Sequence, residues 1–318
     1  MKRYILFILF ITFLLTDSVV FAQQEAQFSF NMFTNMAINP GYAGSKDAIC
    51  LTSIVRQQWV GFTDPYGNKA SPQTILFAVD GAINKIRSGI GLTIFQDKIG
   101  FETNLAVKLN YALRLQLGPG KLGIGAQVCF NNKEIDFTKF KPKDDNDPLL
   151  MYGREDESDM LIDFAFGLFY KMPQAYFGLS ASQLSESDFE SSSKLAHPTS
   201  KRHYYFIGGY QHDLTAEFKL KPSLLIKSDL ASTQYDINCL VVYNNKFWGG
   251  LSYRPQDAII VLLGLYWNKF IFGYGYDITT SAVGSGNRSS GSHEIILNYC
   301  FTIEIPHTPS RHKTVRFL

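Results

Sequence analysis

Residues 101–131, FETNLAVKLNYALRLQLGPGKLGIGAQVCFN, form two alternating runs joined by a tight turn. In the first run Thr103, Leu105, Val107, Leu109, Tyr111, Leu113, Leu115 and Leu117 fall on one face. Asn104, Ala106, Lys108, Asn110, Ala112, Arg114 and Gln116 fall on the other. Successive side chains of an extended chain point to opposite sides, so this period of two specifies a strand. Gly118-Pro119-Gly120 then turns the chain, glycine tolerating the required backbone angles and proline fixing φ. The return run sets Leu122, Ile124, Ala126, Val128 and Phe130 against Gly123, Gly125, Gln127, Cys129 and Asn131. One face of the hairpin is bulky and apolar throughout, and the other holds charge, amide and glycine. Such faces suit a soluble sandwich with its charges in water, or a lipid-facing barrel with its charges in the lumen.

Repetition along the chain decides between the two. Strands are expected at Ala48 to Trp59, Pro72 to Ala82, Gly89 to Gln96, both runs of the hairpin, Met160 to Tyr170 and Ala175 to Ser182. They continue at His203 to Gln211, Glu217 to Lys227, Tyr235 to Tyr243, Phe247 to Tyr253, Ala258 to Trp267, Phe270 to Asp277 and Glu294 to Glu304. That makes about fourteen, an even number, as an outer-membrane barrel with both ends on one side requires. Connections after even strands are short: Gly118-Pro119-Gly120, Met172-Pro173-Gln174, Leu214-Thr215-Ala216 and Asn244-Asn245-Lys246. The long ones, near Gly61 to Ala70, Asn132 to Asp159, Leu184 to Arg202 and Thr279 to Ser292, all follow odd strands. Short turns at one end and long loops at the other are the outer-membrane pattern, with termini and short turns in the periplasm. The fold class expected is therefore all-β, an antiparallel up-and-down transmembrane β-barrel spanning residues 47–304.

The segments outside the barrel follow from composition. Met1-Lys2-Arg3, the apolar run Tyr4 to Leu15 and the small-residue end Val20-Phe21-Ala22 read as a secretory signal peptide over residues 1–22. The apolar run is too short, and too soon broken by Thr16, Asp17 and Ser18, for a membrane-spanning helix. Cleavage after Ala22 turns 30 basic and 28 acidic residues into 28 and 27. A near-neutral chain offers nothing to nucleic acid. Residues 23–46 are expected as a periplasmic lead-in or plug, and residues 305–318, with Arg311, His312, Lys313 and Arg316, as a periplasmic tail. Cys50, Cys129, Cys239 and Cys300 are scattered with no CxxC spacing and read as small strand residues, without metal and without a disulfide framework.

Asn39-Pro40-Gly41-Tyr42-Ala43-Gly44-Ser45 followed by Arg56-Gln57-Gln58-Trp59, together with a last strand opening at Gly291-Ser292-His293-Glu294-Ile295, resembles the PorP/SprF family of Bacteroidetes outer-membrane proteins. Gly41 stands where that family usually has alanine. The resemblance implies work with the type IX secretion system. The chain would be either part of its assembly or a dedicated partner of an exported, adhesin-like surface protein with a C-terminal sorting domain, as in gliding motility. It implies an outer-membrane location with lipid around the wall.

Catalytic and ligand chemistry have weaker signals in the sequence. No Gly-x-Ser-x-Gly or similar nucleophile context occurs, and His293-Glu294 at the start of the last strand is a pair that could serve a hydrolase. The expectation is no enzyme, no cofactor and no metal. The acidic runs Asp144-Asp145-Asn146-Asp147 and Glu155-Asp156-Glu157 lack the ordered ligand spacing of a calcium loop. Lumen-facing Lys108, Arg114, Asp163, Lys219, Lys221 and Lys227 could select an anionic solute in a porin or channel. They could equally close a polar interior through salt bridges, with the lead-in filling the space. Trp59 is expected at the membrane interface as an aromatic anchor.

Overall fold

A computed structural model describes residues 25–64, 67–139, 157–189, 200–281 and 289–302. The expected signal peptide, the periplasmic tail and the acidic run at 144–147 lie outside these residues. Fourteen antiparallel strands close into a barrel: β1 Ile49–Gln57, β2 Gln73–Ile83, β3 Ser88–Ile99, β4 Glu102–Leu117, β5 Gly120–Ile135, β6 Glu157–Lys171 and β7 Ala175–Ser182. The second half comprises β8 His203–Tyr210 with its continuation His212–Asp213, β9 Phe218–Ser228, β10 Thr233–Tyr243, β11 Phe247–Arg254, β12 Ala258–Trp267, β13 Phe270–Thr279 and β14 Ser292–Phe301. Each strand pairs with its neighbours in sequence, and β14 pairs with β1 to close the ring. The eighth strand is interrupted at Gln211 with its register unchanged: Gly209 pairs with Ser223 and His212 with Leu220, and the ladder lapses only opposite Lys221 and Pro222. Proline has no N–H to give the ladder, so this is where a break is cheapest.

The wall follows the alternation read from the sequence. Ile75, Phe77, Ile90, Leu105, Leu109, Ile162, Phe164, Leu251, Leu263 and Ile295 stand exposed on the outside. A soluble protein does not leave an apolar belt of this extent in water, whereas a barrel in lipid requires one. Inside, Ile54, Leu76, Leu240, Ile260, Leu262 and Ile296 are buried beside Phe28, Phe30 and Met36 of the N-terminal segment. The core of this protein is thus the lumen itself.

Strands β4 and β5 each have 16 residues, against 9 in β1. At about 3.4 Å per residue they outreach an apolar band of about 25 Å even when tilted. Their outer ends carry outward-facing polar residues such as exposed Glu134, so one side of the wall stands above the membrane.

One expectation from the sequence is corrected at the closure. Cys50 and Cys300 are direct partners across β1 and β14, with Cα atoms 4.1 Å apart, and are joined by a disulfide. They are 250 residues apart in the chain. Spacing rules cannot see a pairing that only ring closure creates. Cys129 and Cys239 are free thiols. Changing both bonded cysteines to alanine is expected to cost about 2–5 kcal/mol. Urea unfolding of the purified barrel with and without reductant measures this, and a curve unmoved by reductant would contradict the bond.

Candidate functional site: the plugged lumen

Residues 25–46 lie inside the barrel. Of the lead-in or plug expected over residues 23–46, the described part is a plug within the wall, which fills much of the lumen. Starting at Glu25 beside the outer ends of β8 and β9, where Tyr205 donates to its carboxylate and Lys227 Nζ donates to its carbonyl at 2.9 Å, the chain descends to Asp47 at the periplasmic end. It then turns directly into β1. Between those ends it forms only short turns, Asn31–Phe33, Asn35–Ile38 and Pro40–Tyr42.

Charge anchors the upper half. Arg56, projecting inward from β1, pairs with Asp277 of β13 at 2.7 Å and Glu294 of β14 at 2.9 Å. Its Nη1 also donates to Ser29 Oγ. Glu294 in turn accepts the backbone N–H groups of Ser29 at 2.8 Å and Phe30 at 2.9 Å, while Ser29 Oγ donates to Asp277 at 2.7 Å. Arg56 is 1 % exposed and Glu294 0 %. Charges so deeply buried persist only when each is paired and hydrogen-bonded. A second cluster stands beside it: Arg254 binds Asp236 at 2.6 Å and Asp257 at 3.1 Å, and Asp236 accepts from Asn31 Nδ2 at 3.0 Å. Phe30, next along the plug from Ser29, meets Trp248 edge-on, with ring centroids 5.9 Å apart.

Backbone contact anchors the lower half. Asn39 donates through Nδ2 to the carbonyls of Leu168 at 3.0 Å and Leu179 at 3.2 Å, and its Oδ1 accepts from Gly41 N–H at 2.9 Å. One side chain therefore ties two wall strands to the plug's own turn. Asn39→Ala is expected to leave two buried carbonyls without this donor, at about 1–3 kcal/mol. Chemical denaturation of the purified barrel tests it, and a loss below about 0.5 kcal/mol would mean that water replaces the amide.

Gly41 sits against Gly123, Gly125 and Gly167 so closely that a Cβ on it would lie 2.8 Å from the Gly123 carbonyl oxygen. The alanine usual at this position in the resembled family does not fit here. The glycines on the lumen face of β5 and β6 exist to let this elbow in. Tyr42 packs edge-on against Phe169 at 5.1 Å, Ala43 is fully buried against Gly89, and Gly44 N–H reaches Asp80 at 2.9 Å. Ser45 carbonyl accepts from Lys171 at 3.0 Å.

Asp47 closes the periplasmic end, paired with Arg114 at 2.5 Å and Lys121 at 2.9 Å. Burial pushes its carboxyl up, and the hydrogen bonds from Arg114 and Lys121 outweigh that, leaving it below the usual range. Burial also lowers Lys46, against the pull of Asp80.

The motif residues divide accordingly. Asn39 to Ser45 form the elbow, and Arg56 is the centre of the ion cluster. Gln57 and Gln58 hold the first outer loop through Pro72 O, and Trp59 N–H reaches Ser292 Oγ at 3.1 Å. His293 and Glu294 are separated: Glu294 enters the lumen, while His293 faces out and meets Tyr274 OH at 2.7 Å. Adjacent strand residues point oppositely, so the two do not form a catalytic pair. Two of the lumenal lysines reach the plug, and a third, Lys221, lies over the Tyr266 ring. Lys108 Nζ reaches Ala37 O at 3.4 Å and Lys227 the carbonyl of Glu25. Asp163 accepts from Ser185 N–H at 3.0 Å. Above the plug an outer vestibule of about 400 Å³ remains, lined by Glu25, Phe95, Asp97, Lys108, Lys133 and His203. Among the described residues no group of three His, Cys, Asp or Glu side chains is placed to hold a metal.

The sequence profile of the type IX secretion system membrane protein PorP/SprF matches residues 20–299, from before the plug to the last strand. The chain belongs to the PorP/SprF family. For this PorP/SprF member no curated protein gives a match. Solved structures similar to it are outer-membrane barrels. One is the TodX deltaS2S3 mutant monoaromatic hydrocarbon channel, at 10% identity and TM-score 0.51 over 87% of this chain and 95% of that one. Another is the Ralstonia pickettii toluene transporter TbuX, at 11% identity and TM-score 0.47 over 85% and 93%. At such identities the likeness to TodX concerns the barrel fold alone. PorP/SprF membership and the lipid-facing wall together place the chain in the outer membrane as a type IX secretion protein.

Proposed function

We propose that this barrel works without catalysis, as a dedicated partner in the secretion or surface anchoring of one exported protein bearing a C-terminal sorting domain, an adhesin-like protein of gliding motility being the type. One observation carries the reading: the lumen is occupied by a plug bound through buried ion pairs and backbone contacts, which suits a contact surface rather than a solute path. The tall outer wall of β4 to β6 supports it, since outward polar residues above the membrane are available to a surface partner. The secretion machinery is the other partner expected.

Deleting the gene and comparing the cell-surface proteins with those of the parent tests this. The expected result is the loss from the surface of one large protein with a C-terminal sorting domain, which then also crosslinks to the tagged barrel. An unchanged surface proteome, with steady ion conductance of the purified barrel in planar bilayers, would overturn the reading. The vestibule favours that second reading, a porin or solute channel, because it offers mixed charge to a solute entering from outside.

A further inference from the structure

The periplasmic mouth holds more cationic groups than its own carboxylates neutralise. A cleft of about 260 Å³ opens there between the turns at Gly118-Pro119-Gly120 and Met172-Pro173-Gln174, beside the plug's exit at Ser45 and Asp47. Arg114, Lys121 and Lys171 all point into it from the lumen face, and Lys46 lies next to them. Against these four stand Asp47, which already binds two of them, and Asp80, which accepts from Gly44. Lys121 and Asp47 are 47 % and 42 % exposed at their side chains, so the cleft is open to solvent. Clustered charge of one sign in a concave, low-dielectric setting focuses the field and draws the opposite charge.

The surplus continues around the same end. Lys85 and Arg87 occupy the turn after β2, Lys219 and Lys221 the lumen face of β9, and Lys246 the turn after β10, against Asp213 and Glu217.

We propose that this mouth is a docking site for an acidic segment of a periplasmic polypeptide, whose carboxylates enter the cleft between Arg114, Lys121 and Lys171. Lipid headgroups do not reach these side chains, because they lie on the inner face and the wall stands between them and the bilayer. The chain's own tail is not complementary, since it carries Arg311, Lys313 and Arg316. The cleft is smaller than the ~300 Å³ at which pockets for whole organic ligands begin. It fits carboxylate side chains presented by a longer strand.

Fluorescence anisotropy of a labelled hexaglutamate peptide, added to the folded full-length barrel in non-ionic detergent, tests the site. Hexaglutamate is expected to bind and hexaglutamine not. Lys121→Glu combined with Lys171→Gln is expected to weaken binding about tenfold, while Lys139→Gln at the outer end leaves it unchanged. Raising salt from about 0.1 to 0.5 M should weaken it further, as screening requires. Folding of each variant is read from its heat-modifiable gel mobility. Equal binding of both peptides, or full binding to the folded Lys171→Gln single and double variants, would overturn the proposal. So would displacement by inorganic phosphate at concentrations equal to the peptide, which marks a free-anion site. Loss of binding in nanodiscs containing phosphatidylglycerol would do the same in favour of lipid.

Discussion

Replacing Arg56 with methionine is expected to destabilise the barrel by about 3–5 kcal/mol. The methionine fills similar space, so little of the loss is packing. What remains is a pair of carboxylates, Asp277 and Glu294, buried beside each other without their cation. The cost is that of two unpaired charges out of water. Removing them as well, in Arg56→Met with Asp277→Asn and Glu294→Gln, should recover much of the loss, because a neutral cluster needs no counter-ion. Glutamine at 294 still presents an oxygen to one of the Ser29 and Phe30 amides, so recovery is incomplete. Urea unfolding in detergent, followed by gel mobility, ranks the variants. If Arg56→Met loses under about 1 kcal/mol, the upper half of the plug is held by something else.

Gly125→Val should open the barrel. A Cβ at 125 falls 2.2 Å from Gly41 N and 2.3 Å from Pro40 C, where ordinary contact begins at 3.4 Å. Both obstacles are backbone, which cannot rotate aside as a side chain can. Overpacking of a well-filled interior typically costs about 1–3 kcal/mol. Here the cheaper response is for the elbow at Pro40–Tyr42 to leave its seat, since the lower half of the plug has only that one short helical turn to break. The expected readouts are new protease cleavage near residues 39–45 and ion conductance in planar bilayers where the parent is silent. Gly208→Ala is the control, because its Cβ meets only the Phe177 and Phe206 rings at 3.6 Å. A Gly125→Val barrel that stays silent and as stable as the parent would refute the glycine seat.

The wall was legible in the sequence because a strand half in lipid must alternate, and strand after strand does. The lumen face of β4 and β5 follows residue by residue from that alternation, and loop parity orients the barrel. The plug's path was not legible, since residues 25–46 have no period and their hydrogen bonds to the strands span 27 to 265 residues. Asn39 and Gly41 stood out only through a resemblance. Their roles depend on Gly123, Gly125 and Gly167, which from sequence alone were merely small. Lys108, Lys227 and Arg114 lie on the face the alternation gives them, but their partners, two plug carbonyls and Asp47, have no mark in the sequence. His293-Glu294 misled through adjacency: sharing a strand put them on opposite sides of the wall.

The disulfide between the first and last strands has a meaning in time. Cys50 emerges early in synthesis and Cys300 late, and only the finished ring holds them side by side. The plug leads straight into β1, so the sealed seam closes the ring around the segment that enters it. Oxidation of this pair is therefore a clock mark set by assembly itself. Trapping free thiols at intervals after synthesis would date the instant each molecule becomes a closed cylinder, as four reactive thiols fall to the two of Cys129 and Cys239.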